Sequence, residues 1–201
     1  MSPGEYQKLQ QRLLGRGRKT AATGTSEASA SGTLKFRRIL GIDPSLRGTG
    51  YGVIETVGQG GRLLVAGTLK CPASWPRSRC WAFISGELRR VVQQHSPDGC
   101  AVEGLFFAQN LRTAITLGEA RGAALSVVAE AGLPIFELAP RAVKQSIVGF
   151  GGAQKLAVAK MVQRMLGLET PPDPDAADAL AVALALLQSA GARVSQRLKP
   201  L

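Results

Sequence analysis

Histidine occurs once in these 201 residues, cysteine three times, and aromatic side chains make up only 5% of the chain. Cys71, Cys80 and Cys100 are odd in number and lack C-x-x-C spacing, which excludes a zinc or dithiol site of that pattern and fits reduced thiols in a cytosol. The lone His95 sits beside the turn-forming "HSPDG" and is expected at the surface, not as a general base. No apolar run approaches the ~18 residues needed to cross a bilayer. The first 35 residues also lack the apolar core of a signal peptide, so the expectation is a cytoplasmic protein with no membrane partner. Acid is scarcer than base. Against 25 Lys and Arg stand 14 Asp and Glu, a net charge of +11 and a pI near 10.3. Such an excess suits a polyanion, with nucleic acid ahead of an acidic membrane surface.

What is present is enough apolar residue for a core: 45% of the chain, at a mean hydropathy of +0.06. One domain plus a tail is the simplest partition. Residues 1–34 include "TAATGTSEASASGT", which has no hydrophobic period and reads as a disordered basic tail. Six basic residues against Glu5 and Glu27 in the first 35 make it either a loose electrostatic arm or a passive solubilising tail. The folded domain is expected over 35–192 and a flexible basic C-terminus over 193–201. Within the domain, strands are predicted over 36–42, 51–57 and 62–70, joined by glycine-rich turns. A helix follows over 79–94, then the strand "CAVEGLF", a long helix over 111–131 and the strand "PIFEL". Helices near Arg141, over 153–166 and within "PDPDAADALAVALALLQ" complete the chain. The fold class is α/β: a mixed five-stranded sheet, three antiparallel meander strands then parallel ones, with helices on both faces.

Three acidic sites are placed where a lone charge is costly to desolvate. Asp43 ends an apolar run, Glu103 lies inside "AVEGLF", and Asp175 and Asp178 open the last helix. Positions i and i+3 share a helix face, and the first turn favours negative charge. Each has a plain alternative: Asp43-Pro44 as a turn, Asp175 as an N-cap, Glu103 paired with an arginine. Taken together, converging carboxylates repel unless protonated or bridged by a cation, and oxygen donors select Mg²⁺ or Mn²⁺. Two such ions activate water and stabilise the leaving oxygen in phosphodiester hydrolysis.

Four segments carry a resemblance: "ILGIDPSLRGTGYGVI", "VEGLFFAQNLRTAITLGEARG", "RAVKQSIVGFGGAQK" and "DPDAADALAVAL". In order and spacing, from about residue 36 to about 190, they resemble the RuvC family of Holliday-junction resolvases in the RNase H-like superfamily. The resemblance implies a magnesium-dependent homodimer that nicks opposed strands of four-way junction DNA symmetrically in recombination and repair. It implies that Asp43, Glu103, Asp175 and Asp178 are the catalytic and metal-binding acids, that Phe106 engages junction bases, and that Lys144 and Lys155 meet DNA. RuvA and RuvB are the implied partners. Arg112 and Arg121 on the long helix are read as phosphate contacts, with solvation of its outer face as the alternative. Gly104 and Gln154 depart from residues common in the family, and the long N-terminal arm is foreign to it. "GIDPSLRGTGYGVI" also resembles the phosphate loop of actin-like ATPases, and a non-catalytic DNA-binding module or an RNase H-like nuclease for RNA or forks remains a further reading.

Overall fold

The central strand follows from alternating burial. In the computed structural model, which describes residues 35–104, 110–191 and 200–201, β1 (Arg38–Asp43) sends Leu40 and Ile42 to one face of a sheet and Ile39 to the other. That is the period-2 pattern of a strand covered on both sides. The expectations for the 1–34 tail, for Phe106 and for residues 193–199 lie outside the described residues. At the extreme C-terminus, Leu201 is held to the sheet rather than free, its amide donating to the Ile135 carbonyl at 2.8 Å.

β2 (Gly48–Val57) returns antiparallel to β1, and β3 (Gly60–Lys70) pairs antiparallel with β2 through a register shift at Val53/Ile54. β4 (Gly99–Glu103) runs parallel to β1, and β5 (Ile135–Leu138) parallel to β4, in the order β3-β2-β1-β4-β5. On one face lie α1 (Arg77–His95) and α2 (Leu111–Glu130), packed on Leu40, Ile42, Val53 and Cys100. Asn110 caps α2, its side chain accepting from the Thr113 amide at 2.9 Å. On the other face lie α3 (Pro140–Val148), α4 (Lys155–Leu166) and α5 (Pro174–Gly191). This is the mixed five-stranded sheet with helices on both faces that the sequence predicts. No described helix is long and apolar enough to cross a membrane.

α5 is the inner helix. From Ala176 to Leu186 every residue but Asp178 is buried, so the helix is apolar all round, sandwiched between the sheet and α3 and α4. Ala179 and Ala183, which face Gly41, let the backbones approach closely.

The glycines after Asp43 correct the expectation of glycine-rich turns. Gly48, Gly50 and Gly52 lie within β2, not in the turn, which is why that strand begins three residues earlier than the sequence suggests. With Gly41 of β1 they form a smooth floor for α5. A Cβ at Gly41 would stand 2.0 Å from the Ala179 carbonyl oxygen, one at Gly50 1.9 Å from that of Asp175, and one at Gly52 2.5 Å from Leu180. No side chain fits there, so absence of Cβ lets the first turns of α5 rest on the sheet beside Asp43.

Candidate active site

Asp43 shares a sheet face with Gly41 two residues earlier, and Gly41 faces α5. Its carboxylate therefore points to the α5 side. The parallel register pairs Ile42 with Val102, bringing Glu103 alongside Asp43 at the ends of adjacent strands. Ala101 belongs to the α5-side core, so Glu103, two residues on, faces the same way. Gly48 receives the Asp175 carboxylate, whose Oδ2 would lie 2.7 Å from a Cβ placed there. Asp178 follows one turn later on α5. The four predicted acids thus gather on one sheet face from three elements.

Pro174 opens α5 without an amide to satisfy, and Asp173, not Asp175, occupies the capping position: its carbonyl accepts from the Ala177 amide at 2.8 Å. The Asp173 carboxylate meets Lys70 Nζ at 2.9 Å, which holds its carboxyl below the usual range and ties the start of α5 to the end of β3. Asp175 is therefore released from capping.

The electrostatics record the crowding. Burial, then the charges of Asp178 and Glu103, pushes the Asp43 carboxyl up to about 7, with Lys155 opposing and Asp175 adding to the rise. Burial first, then Asp178, also raises Glu103, against Lys155 and Lys144. One cation answers the cluster directly: Lys155 Nζ donates to Asp178 Oδ2 at 2.6 Å, and this bond raises the lysine in turn. Among the described residues no three acidic side chains form a closed cation cage. What they present is an all-oxygen donor set under mutual repulsion, with a lysine already on one member. That chemistry fits a hard divalent cation and offers none of the nitrogen or sulfur a softer ion prefers.

Lys144, on α3, is half-buried and lies close enough to act on Glu103. Arg112 stands apart from the acids, exposed on a groove of about 510 Å³ that Ser45, Arg47 and Arg77 also line. Arg47 is exposed but tied down there, donating to the Pro72 and Trp75 carbonyls and to Cys80 Sγ, and Arg77 pairs with Glu119 at 3.1 Å.

Arg121 departs from the reading as an outward phosphate contact. Its side chain is 12% exposed. Nη1 donates to the Glu103 carbonyl at 2.6 Å and Nη2 to Glu137 Oε2 on β5. Both bonds are charge-assisted, and together they fasten the backbone of a clustered acid to α2 and β5. Sequence reasoning missed this clamp because a helical arginine's direction depends on which face the fold covers.

The sole histidine is half-buried at the end of α1, just before β4 and so at the opposite end of that strand from Glu103, with its carbonyl holding Arg38 at 2.9 Å. The cysteines are buried and free, burial pushing Cys71 up to about 11 and Cys100 up to about 12, so both thiols resist ionisation. Nor does the glycine segment make a nucleotide loop: the space above Gly41, Gly50 and Gly52 is filled by α5.

Comparison with known proteins agrees with this geometry. The family model described as crossover junction endodeoxyribonuclease RuvC matches residues 39–186. The crossover junction endodeoxyribonuclease RuvC of Chloroflexus aggregans is 47% identical over 148 residues, 73% of this chain and 90% of that protein. The namesake from Akkermansia muciniphila is 46% identical over 153 residues, 76% of this chain and 92% of its own. Thermus thermophilus RuvC, solved in complex with a Holliday junction substrate, superimposes with a TM-score of 0.76 at 35% identity, covering 82% of this chain and 99% of that one. On its fold and on these likenesses, the chain belongs to the RuvC family of crossover junction endodeoxyribonucleases, within the RNase H-like architecture.

Proposed function

We propose that this protein resolves four-way DNA junctions by symmetric paired nicking, as a homodimer, using two Mg²⁺ ions per active site with Mn²⁺ as a substitute. The observation that carries the reading is the gathering of Asp43, Glu103, Asp175 and Asp178 on one face, held there by a glycine floor and relieved by Lys155. Those four carboxylates would hold the ions. When bound, such a pair supplies Lewis-acid polarisation of phosphate and a water acidic enough to be deprotonated.

The chain's own groups do the rest. The cluster repels a bare phosphodiester, so DNA is drawn in by cations around it: Lys144 and Lys155 beside the acids and Arg112 along the groove. Lys155, released from Asp178 once the carboxylates are neutralised, is free to meet an oxygen of the scissile phosphate. Arg121 keeps Glu103 in place from behind and spends no charge on DNA. Phe106 engages junction bases in this reading. A junction offers two equivalent strands, and one centre cuts one strand, so a twofold dimer suits a twofold substrate. Family resemblance adds RuvA and RuvB as partners and the bacterial cytoplasm as the place of action, in recombination and DNA repair.

A substrate panel tests the proposal. Purified protein in Mg²⁺ is expected to cut a synthetic four-way junction in preference to linear duplex, a fork or an RNA:DNA hybrid. Intact junctions alongside cleaved hybrids would assign it to a different RNase H-like activity.

A further inference from the structure

Among the described residues one aromatic ring stands in solvent. Phe150 is 66% exposed, whereas Phe36 and Phe136 are buried and Tyr51, Trp75, Trp81 and Phe83 are largely covered. Burying such a ring is favourable, and a free loop would fold it down. This loop is held. α3 stops at Gly149, whose φ of 81° needs glycine, and the Gln145 side chain grips both neighbours of Phe150. Its Nε2 donates to the Gly149 carbonyl at 2.7 Å and its Oε1 accepts from the Gly151 amide at 3.1 Å. On the far side, the amide of buried Ala153 donates to the Phe150 carbonyl at 3.1 Å. The ring tip overlies Gly152, where a Cβ would come within 2.8 Å of Cζ, and Arg141 lies along Gly151.

Charge selects the partner. Arg141 and Lys144 precede the ring on α3 and Lys155 follows it, with Lys155 already at the carboxylate cluster through Asp178. A ring fixed in solvent on a loop that carries Arg141 against it and is flanked in the chain by two lysines matches a nucleic-acid strand, whose phosphates take the cations and whose bases present flat faces for stacking. An apolar protein partner would find the same cations a desolvation cost. We propose that Phe150 stacks on a nucleobase of the bound DNA strand, next to the scissile phosphate. The inference rests on the nuclease reading above and adds to it a base contact on the lysine side of the site.

The test maps the cut made by the wild-type protein, then places 2-aminopurine at single positions around it in a synthetic four-way junction. In magnesium-free buffer, wild-type protein is expected to change the fluorescence strongly at a position next to the cut. Phe150→Ala should abolish that change and weaken junction binding about tenfold or more. Phe150→Trp should retain both, and Phe150→Leu should lose the fluorescence signal although it stays apolar. Because the ring is exposed, all three variants should melt with the wild type. Cleavage, binding and fluorescence unchanged in Phe150→Ala would overturn the stacking contact alone, as would full function in Phe150→Leu. A wild-type protein that leaves the junction intact would instead remove the nuclease reading and this contact with it.

Discussion

Asp43 carries opposite consequences for stability and for function. Its carboxyl is pushed up to about 7 by burial and by Asp178 and Glu103. Between the ordinary aspartate range and that value the folded metal-free chain keeps a proton that the unfolded chain releases, so stability falls as pH rises through this window. In EDTA, Asp43→Asn should flatten that slope and gain about 2–4 kcal/mol at pH 8 in urea unfolding, with little gain at acidic pH. A loss of stability at pH 8 would mean that the cluster is not strained. Arg121 allows the reverse experiment. Arg121→Gln should cost about 1–3 kcal/mol and slow junction cleavage about tenfold or more while leaving junction affinity within about twofold. Arg121→Lys, which keeps the charge but not the fork, should recover part of the rate. A residue that contacts phosphate would show the contrary split, with affinity lost first.

At the scale of elements, the packing of α5 on the β1–β2 hairpin decides whether the acids meet. Gly50→Ala places a methyl 1.9 Å from a backbone carbonyl that cannot swing away, whereas Gly52→Ala meets a side chain that can shift, Leu180, with Cδ2 at 2.5 Å and Cγ at 2.8 Å. We expect Gly50→Ala to cost about 3 kcal/mol and to abolish cleavage, and Gly52→Ala to cost about 1 kcal/mol. Gly86→Ala, in α1 with open space around it, should instead stabilise by about 0.5–1 kcal/mol. Thermal melts of the three variants check the order, and equal losses at Gly50 and Gly86 would contradict the floor. The same region shows how far the sequence could be read. Local patterns locate the elements: alternation marks strands, amphipathicity marks the outer helices, and the prolines of "PDPDAADAL" followed by an apolar run mark α5, which is apolar all round. Asp43, Glu103, Asp175 and Asp178 stand out since acids are scarce and sit on apolar segments. The glycines do not announce their role, because spacing of two in a strand looks like turn chemistry until the covering helix is known. Arg121 is opaque for a similar reason: its two acceptors lie on β4 and β5, one of them a backbone carbonyl that no residue type encodes.

For the whole molecule, the chain carries a net charge of +11, yet its carboxylate centre has a field that repels DNA. On the proposed function, binding is therefore driven by phosphate contacts to the cations that flank the acids. Junction affinity should fall about a hundredfold or more between about 50 and 200 mM salt, and Lys144→Ala should lower the salt slope by about one counterion. An affinity indifferent to salt would remove the electrostatic account. Within that field, the central claim is that one carboxylate cluster per protomer, loaded with divalent cation, cuts two strands together. The direct measurement uses a supercoiled plasmid that extrudes a cruciform, with the protein supplied in Mg²⁺, in EDTA, and as Asp43→Asn. Paired nicking converts the plasmid straight to linear DNA, and the account predicts linear product only for wild-type protein in Mg²⁺, while Asp43→Asn still shifts a junction in a binding gel. Open-circle product alone, cleavage in EDTA, or linear product from Asp43→Asn would contradict it.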